Sequence, residues 1–210
     1  MLLSRASLML GCLFLTGISI QSAHAASVTE TGTLAADNSV YTYNLTVTAA
    51  TEYLMWTTSY ASGGFVPVIT VFSSQSGNVV ANDGADGTCS GFDKKDATTK
   101  MCDDAYIAAF LPAGNYVIDL TEFPNEAIGN LSSGFLFSSD PTATGDVCGT
   151  AGGMFLQADV APCVQRTDAY SLNLTSTPEP ATLWLVLPAV VFSLIRLKAA
   201  RSRRSRLQAF

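Results

Sequence analysis

The sequence predicts an all-β domain: an antiparallel, jelly-roll-like β-sandwich, flanked by an N-terminal signal peptide and a single C-terminal hydrophobic helix. Three observations predict it. Apolar and polar residues alternate with period two in several short runs, the pattern of half-buried strands. Gly-rich turn clusters punctuate those runs. No segment of ordinary length carries the 3.6-residue periodicity of an amphipathic helix, and short strands without helices pack as a sandwich.

Met1 to Ala25 reads as a signal peptide. Arg5 supplies the positive start, Leu8 to Ile20 the apolar stretch, and Ala23-His24-Ala25 the small-x-small cleavage site, so the mature chain is expected to begin at Ala26. Cys12 follows Leu10-Gly11, but the apolar run continues through Leu13, Phe14, Leu15 and Ile18, which argues against lipidation there.

The exported portion, residues 26–177, has the size of one domain and enough length to bury a core. Its first clear strand alternates Tyr41, Tyr43, Leu45 and Val47 with Thr42, Asn44, Thr46 and Thr48; the last alternates Tyr170, Leu172 and Leu174 with Ser171, Asn173 and Thr175. These two matching strands are candidates to lie near each other. Between them, Tyr53 to Ser59, Val66 to Phe72, Ala105 to Leu111, Tyr116 to Thr121 and Gly134 to Ser138 read as strands. Turns are expected at Ser62-Gly63-Gly64, Ser76-Gly77-Asn78, Pro112-Ala113-Gly114-Asn115 and Gly149 to Gly153.

Cys89, Cys102, Cys148 and Cys163 remain in the exported part. An even count in an exported domain points to disulfides. The spacing favours the local pairs Cys89–Cys102 and Cys148–Cys163 over the other two pairings. Each closed loop is worth about 3 kcal/mol in the chain-entropy account. No close C-x-x-C pair suggests zinc.

The charge is uneven. Sixteen of the seventeen acids lie in residues 26–177, against Lys94, Lys95, Lys100 and Arg166 alone. Such a domain repels nucleic acid and anionic surfaces, so no nucleic-acid partner is expected. Asp83, Asp86, Asp93, Asp96, Asp103 and Asp104 crowd one stretch. Calcium is bound by six to eight oxygens, and a Cys89–Cys102 bridge would bring Asp83 and Asp86 toward Asp103 and Asp104, the candidate metal set. The alternative is a solvated acidic loop partly offset by Lys94, Lys95 and Lys100. An EF-hand is excluded: Asn82, Asp86, Gly87 and Asp93 fit four loop positions, but Gly84 stands at the third and the twelfth is not Glu. Calcium is the one candidate cofactor.

The single histidine, His24, lies in the signal peptide. Ser-His-Asp and Cys-His catalysis and His-based zinc are therefore excluded from the mature chain. Paired carboxylates of the glycosidase kind carry no specific signal in so acidic a domain, and no phosphate-binding Gly-rich loop leads from strand to helix. The domain is read as non-enzymatic. Tyr53, Trp56, Tyr60 and Phe65 offer either a sugar-stacking platform or, the commoner use of strand aromatics, core. Asn44, Asn130 and Asn173 stand in glycan sequons, which are chance matches if the host is a bacterium, as the C-terminal segment suggests.

After residue 177 the composition changes. Pro178-Glu179-Pro180 precedes an uncharged run, Ala181 to Ile195, and then Arg196, Lys198, Arg201, Arg203, Arg204 and Arg206 with no acid. A helix over about 181–197 would lie in a membrane with the arginines on the cytoplasmic side and the domain outside. Fifteen helical residues span only about 22 Å, short of the roughly 30 Å hydrocarbon core, and Pro188 removes one helix hydrogen bond. The segment is a marginal anchor.

Pro178-Glu179-Pro180-Ala181-Thr182, Leu183 to Ile195, and Arg201-Ser202-Arg203-Arg204 together resemble a PEP-CTERM sorting signal, here 178–206. The resemblance implies a Gram-negative exported protein cut near Pro178, Glu179 and Pro180 by an exosortase. It further implies an inner-membrane intermediate, a final place at the cell surface or outside it, and an association with extracellular polysaccharide and biofilm. The alternative is a membrane-anchored, calcium- or carbohydrate-binding adhesion module that keeps its helix. Ser39-Val40-Tyr41-Thr42-Tyr43, Asp103-Asp104-Ala105-Tyr106 and Leu111-Pro112-Ala113-Gly114-Asn115-Tyr116 resemble the bacterial pre-peptidase C-terminal type of β-sandwich. Some modules of that type bind calcium or polymeric ligands.

Overall fold

The computed structural model describes residues 26–84, 89, 94–97, 99–157 and 161–177. They belong to one unit, Ala25–Glu179; the other, Met1–His24 with Pro180–Phe210, is outside the described residues. The expected signal peptide, the Pro178-Glu179-Pro180 motif, the helix expected over about 181–197 and the arginine-rich tail therefore lie outside the described residues.

The alternating runs become strands β1 (Ser27–Thr33), β2 (Tyr41–Val47), β3 (Thr51–Thr57), β4 (Pro67–Ser73), β5 (Val79–Asp83), β6 (Tyr106–Leu111) and β7 (Gly114–Glu122). A short hairpin follows, β8 (Leu156–Gln157) with β9 (Val164–Gln165), and then β10 (Ala169–Thr177). The long strands form two sheets of order β1-β10-β3-β6 and β2-β7-β4-β5, and every strand pair is antiparallel. With the β8–β9 hairpin set aside, that is the strand order of a jelly roll. The one α-helix among the described residues, α1 (Ala143–Val147), is a single turn.

One face of each sheet supplies a common core. Leu45, Val47, Ile69, Val71, Tyr116, Ile118 and Leu120 from one sheet meet Met55, Ile107, Leu111, Leu172 and Leu174 from the other. The period-two rule places these side chains inward and their neighbours outward. β4 departs from it. Val68, Thr70 and Phe72 are buried as well as Ile69 and Val71, because the long connection after β7 lies over that outer face, with Ala127 and Gly129 beside Val68 and Thr70. A strand covered on both faces reads as a continuous apolar run, as Val66 to Phe72 does.

Tyr41 and Tyr170 meet, with ring centroids 4.7 Å apart, but their strands lie in different sheets and face each other rather than pair. β10 is paired instead with β1 and β3. β1 is read poorly from sequence because its inward positions are mostly small or polar; pairing with β10 holds it. The strand expected over Gly134 to Ser138 is not formed. Gly134 takes φ 76° and ψ −151°, Phe137 N donates to the Asn125 side chain at 2.9 Å, and Ser138 N turns back to Phe135 O. Only the isolated bridge Ala127↔Phe135 remains. The turn at Pro112 to Asn115 joins β6 to β7, and the Tyr116 hydroxyl closes it by donating to Pro112 O at 2.9 Å.

Both expected disulfides, Cys89–Cys102 and Cys148–Cys163, are present, which suits an oxidising, extracellular or periplasmic compartment.

Leu172 is fully buried in β10. Leu172→Ala should cost about 2–5 kcal/mol in urea denaturation, whereas Leu136→Ala at an exposed position should change stability by less than about 0.5 kcal/mol.

Candidate functional site

Chemistry-bearing side chains gather where the two disulfide loops meet the turn after β3. That turn is a 3-10 turn, Tyr60–Ser62, ended by Gly63 at φ 91°, a left-handed conformation that glycine adopts without cost. Asp104 satisfies the turn's backbone donors: Oδ1 accepts from Tyr60 N at 3.0 Å and Thr57 Oγ1 at 2.8 Å, and Oδ2 accepts from Ala61 N at 3.0 Å. The Tyr60 hydroxyl donates to Gln157 Oε1 at 3.0 Å and lies 2.6 Å from Thr99 Oγ1. Burial pushes the Tyr60 phenol above its ordinary value, so it stays a neutral donor. Gln157 Nε2 in turn donates to Asp103 Oδ2 at 3.2 Å.

Arg166 occupies the centre. Its Nε donates to Gly64 O at 2.8 Å, Nη2 donates to Tyr60 O, and both terminal nitrogens donate to Asp96 Oδ2 at 3.3 Å. The guanidinium carbon sits 4.1 Å from the Tyr60 ring centroid, within cation–π range. The two side chains of this ion pair are 4% and 5% exposed. Asp96 Oδ1 accepts from Thr99 N at 2.7 Å, so the carboxylate is also held by its own loop.

The sequence-derived calcium set is dispersed by these roles. Asp83 Oδ2 accepts from Tyr106 N at 2.6 Å and so links edge strand β5 to edge strand β6. Asp103 and Asp104 precede β6 and take the donors named above. Asp86 lies outside the described residues. Among the described residues no three His, Cys, Asp or Glu side chains are grouped to hold a metal ion. The aromatic set divides likewise: Tyr60 and Phe65 are buried, Tyr53 packs on the core and Trp56 is half-buried on β3. They form no exposed platform. Sequence reasoning treated Asp96 as one acid of a solvated loop and did not pair it with Arg166. The available signal was that Arg166 is the one arginine in residues 26–177, and arginine in an otherwise acidic domain is suited to a buried ion pair.

A second polar cluster clips the long connection to the sandwich. Asp37, 1% exposed in the β1–β2 loop, accepts from Thr144 N at 2.8 Å and Thr144 Oγ1 at 2.7 Å through Oδ2, and from Phe155 N at 2.8 Å through Oδ1. Glu122, buried at the end of β7, lies close to Asp37. Desolvation, with the adjacent Asp37 carboxylate adding to it, pushes the Glu122 carboxyl up to about 10. Glu122 is therefore the protonated partner of the pair.

A cleft of about 210 Å³ opens on the outer face of the β2-β7-β4-β5 sheet. Val68 and Thr70 of β4 form its floor, Val79 and Asn82 of β5 one side, and Glu126, Ala127 and Gly129 the other.

No protein-family model matches the chain, and no curated protein matches it. Among solved structures it is similar to the pre-peptidase C-terminal domain of a collagenase from Bacillus anthracis, at 10% identity and TM-score 0.36, over 72% of this chain and 89% of that domain. The two-sheet architecture rests on the strand register described above.

Asp96→Ala should destabilise by about 3–5 kcal/mol, because it leaves the Arg166 charge buried without its partner. Adding Arg166→Met should recover part of that loss in a double-mutant cycle read by urea denaturation. Glu122 gives a pH dependence of defined sign. The folded state holds a proton that the unfolded chain releases above its ordinary value of 4.5. The stabilisation from this group is therefore complete below that value and declines as pH rises toward about 10. The stability of the wild type relative to Glu122→Gln should fall across that window; a flat difference would place the proton elsewhere.

Proposed function

We propose that the chain is an exported, non-enzymatic cell-surface or matrix protein that carries its sorting address in its C-terminal segment. One observation carries the reading most directly: β10, an inner strand of its sheet, runs through Thr177, the last described residue, and the sorting motif begins at the next position in the sequence. At the other boundary Ala26 precedes β1. The two boundaries are neighbours, because Ser27 pairs with Thr175 and Ser176 N donates to Ala26 O at 3.1 Å. Cuts after Ala25 and near Pro178 would thus leave the whole sandwich intact.

The route has four steps. The signal peptide starts export. The apolar segment pauses the chain in the inner membrane, with the arginines inside. An exosortase then cleaves near Pro178-Glu179-Pro180. The domain is finally released or attached outside, where it works with extracellular polysaccharide. A two-disulfide domain suits that destination, and a mature chain without histidine suits a non-catalytic role.

Mass spectrometry of the mature protein tests the route. The expected ends are Ala26 and a C-terminus near Thr177, and alanine in place of Pro178, Glu179 and Pro180 should leave unprocessed chain in the membrane fraction. A mature protein that retains Arg201 to Phe210 would instead be a permanently anchored adhesion module.

A further inference from the structure

We propose that the cleft between β4, β5 and residues 126–129 is a binding subsite for an uncharged sugar unit of a polysaccharide chain. The proposal rests on the placement of the protein in an extracellular polysaccharide matrix and names the site that would make the contact.

The chemistry of the walls narrows the ligand. Thr70 offers a hydroxyl, Asn82 a carboxamide and Glu126 a carboxylate. Asn82 and Glu126 are exposed and neither side chain hydrogen-bonds to another described residue, so their capacity is available to a ligand, while Thr70, 2% exposed, lies at the bottom of the floor. Together they present two donor-and-acceptor groups and one strong acceptor, a set that matches the hydroxyls of a sugar ring. Val79, 37% exposed, and the half-buried Ala127 supply a small apolar surface for the edge of the ring, above the buried Val68. The volume, about 210 Å³, is below the usual range for drug-sized ligands and equals the bulk share of about seven waters. That is room for one ring and not for a folded segment.

Charge removes other candidates. Glu126 is the one ionisable lining residue, and the exported domain is strongly acidic, so a phosphate or a uronic acid would be repelled. One carboxylate is also few for calcium, which prefers several.

The shape favours a polymer over a free monosaccharide. β5 is the edge strand of its sheet, so the cleft lies beside the sheet margin and a chain can continue past it. Val80 and Ile128 are exposed on the adjoining residues, at 47% and 54%, and would line that path. Gly129, at φ 144°, adds no side chain to the far wall beyond those of Glu126 and Ala127.

The test is affinity electrophoresis of the full-length protein, extracted in mild detergent with a calcium chelator present, through gels containing dextran, mannan, galactomannan or alginate. At least one neutral polysaccharide should retard the protein, and anionic alginate should not. Asn82 and Glu126 are exposed, so Asn82→Ala/Glu126→Ala should keep the wild-type melting temperature while weakening retardation tenfold or more. Asn44→Ala, on β2 at the opposite sheet edge, should leave retardation unchanged. Any of three results overturns the proposal: no retardation by any neutral polymer, equal retardation of the cleft variant, or preference for alginate. No polysaccharide binding, together with a calcium-induced rise in melting temperature that Asn82→Ala/Glu126→Ala abolishes, would overturn the proposal and assign the cleft to a cation. The mature C-terminus is measured separately, so processing at Pro178 without polysaccharide binding would reject the subsite and leave the sorting route standing.

Discussion

The irregular half of this domain depends on one buried cation. Arg166 collects three segments: the Cys89–Cys102 loop through Asp96, the turn after β3 through Tyr60 and Gly64, and its own position just after β9. A guanidinium has five donors in a fixed plane, and here carbonyls and a carboxylate receive them from three directions. A lysine could not reproduce that fork. Burying the pair is not in itself a strong source of stability, because desolvation offsets most of the attraction. Its consequence is specificity. Another packing of these loops would leave a charge in a dry interior without a partner, so alternative arrangements are penalised more than the native one is rewarded.

The disulfides and the polar network act together. The first loop contributes Asp96 and Thr99 to the surroundings of Tyr60; the second, closed by Cys148–Cys163, contributes Gln157. A cross-link restricts how far a loop can wander before folding but does not choose its final seat. The directional hydrogen bonds of Arg166, Tyr60 and Gln157 make that choice. Stacking the sheets needs neither, since the apolar residues between them suffice. Apolar burial thus sets the architecture, and polar complementarity sets the one place where long connections close.

This division explains what was legible in the sequence. β2, β3, β4, β6, β7 and β10 follow from alternation or continuous apolar runs, because burial is a property each residue carries by itself. Both disulfide pairs follow from spacing. β1 was invisible because its inward positions lack large apolar groups, and its partner lies some 140 residues away. Gly134 to Ser138 looked like a strand on composition, but Asn125 captured its backbone donor. The acidic stretch is the hardest part to read. Composition offers either a shared ion at Asp83, Asp86, Asp103 and Asp104 or a solvated loop, and neither reading contains the internal donors that Asp83, Asp96, Asp103 and Asp104 each accept from. A carboxylate's role depends on which donors reach it, and that depends on contacts far along the chain. The cleft is illegible for the same reason: Thr70 and Asn82 are joined by the β4–β5 pairing, and Glu126 reaches them only through the cover over β4.

The topology also bears on the order of export and folding. β10 is an inner strand of its sheet, between β1 and β3. Until it arrives, β1 has no partner and β3 has an open edge, so on the proposed export route that sheet would stay incomplete while residues up to Thr177 were still crossing the membrane. Such long-range pairing is slow compared with local structure, and an open edge invites association with other chains. On the proposed sorting route, an apolar segment that begins at Ala181 would hold the chain only after the last strand has cleared. The sandwich could then close before the protein leaves the membrane. A stop placed earlier would retain a chain with its central strand missing. One placed much later would release the domain before closure was assured. The close succession of Thr177, Pro178 and Ala181 therefore fits a tail whose position is set by the fold it follows, and a short, marginal span is sufficient for a pause that ends in cleavage.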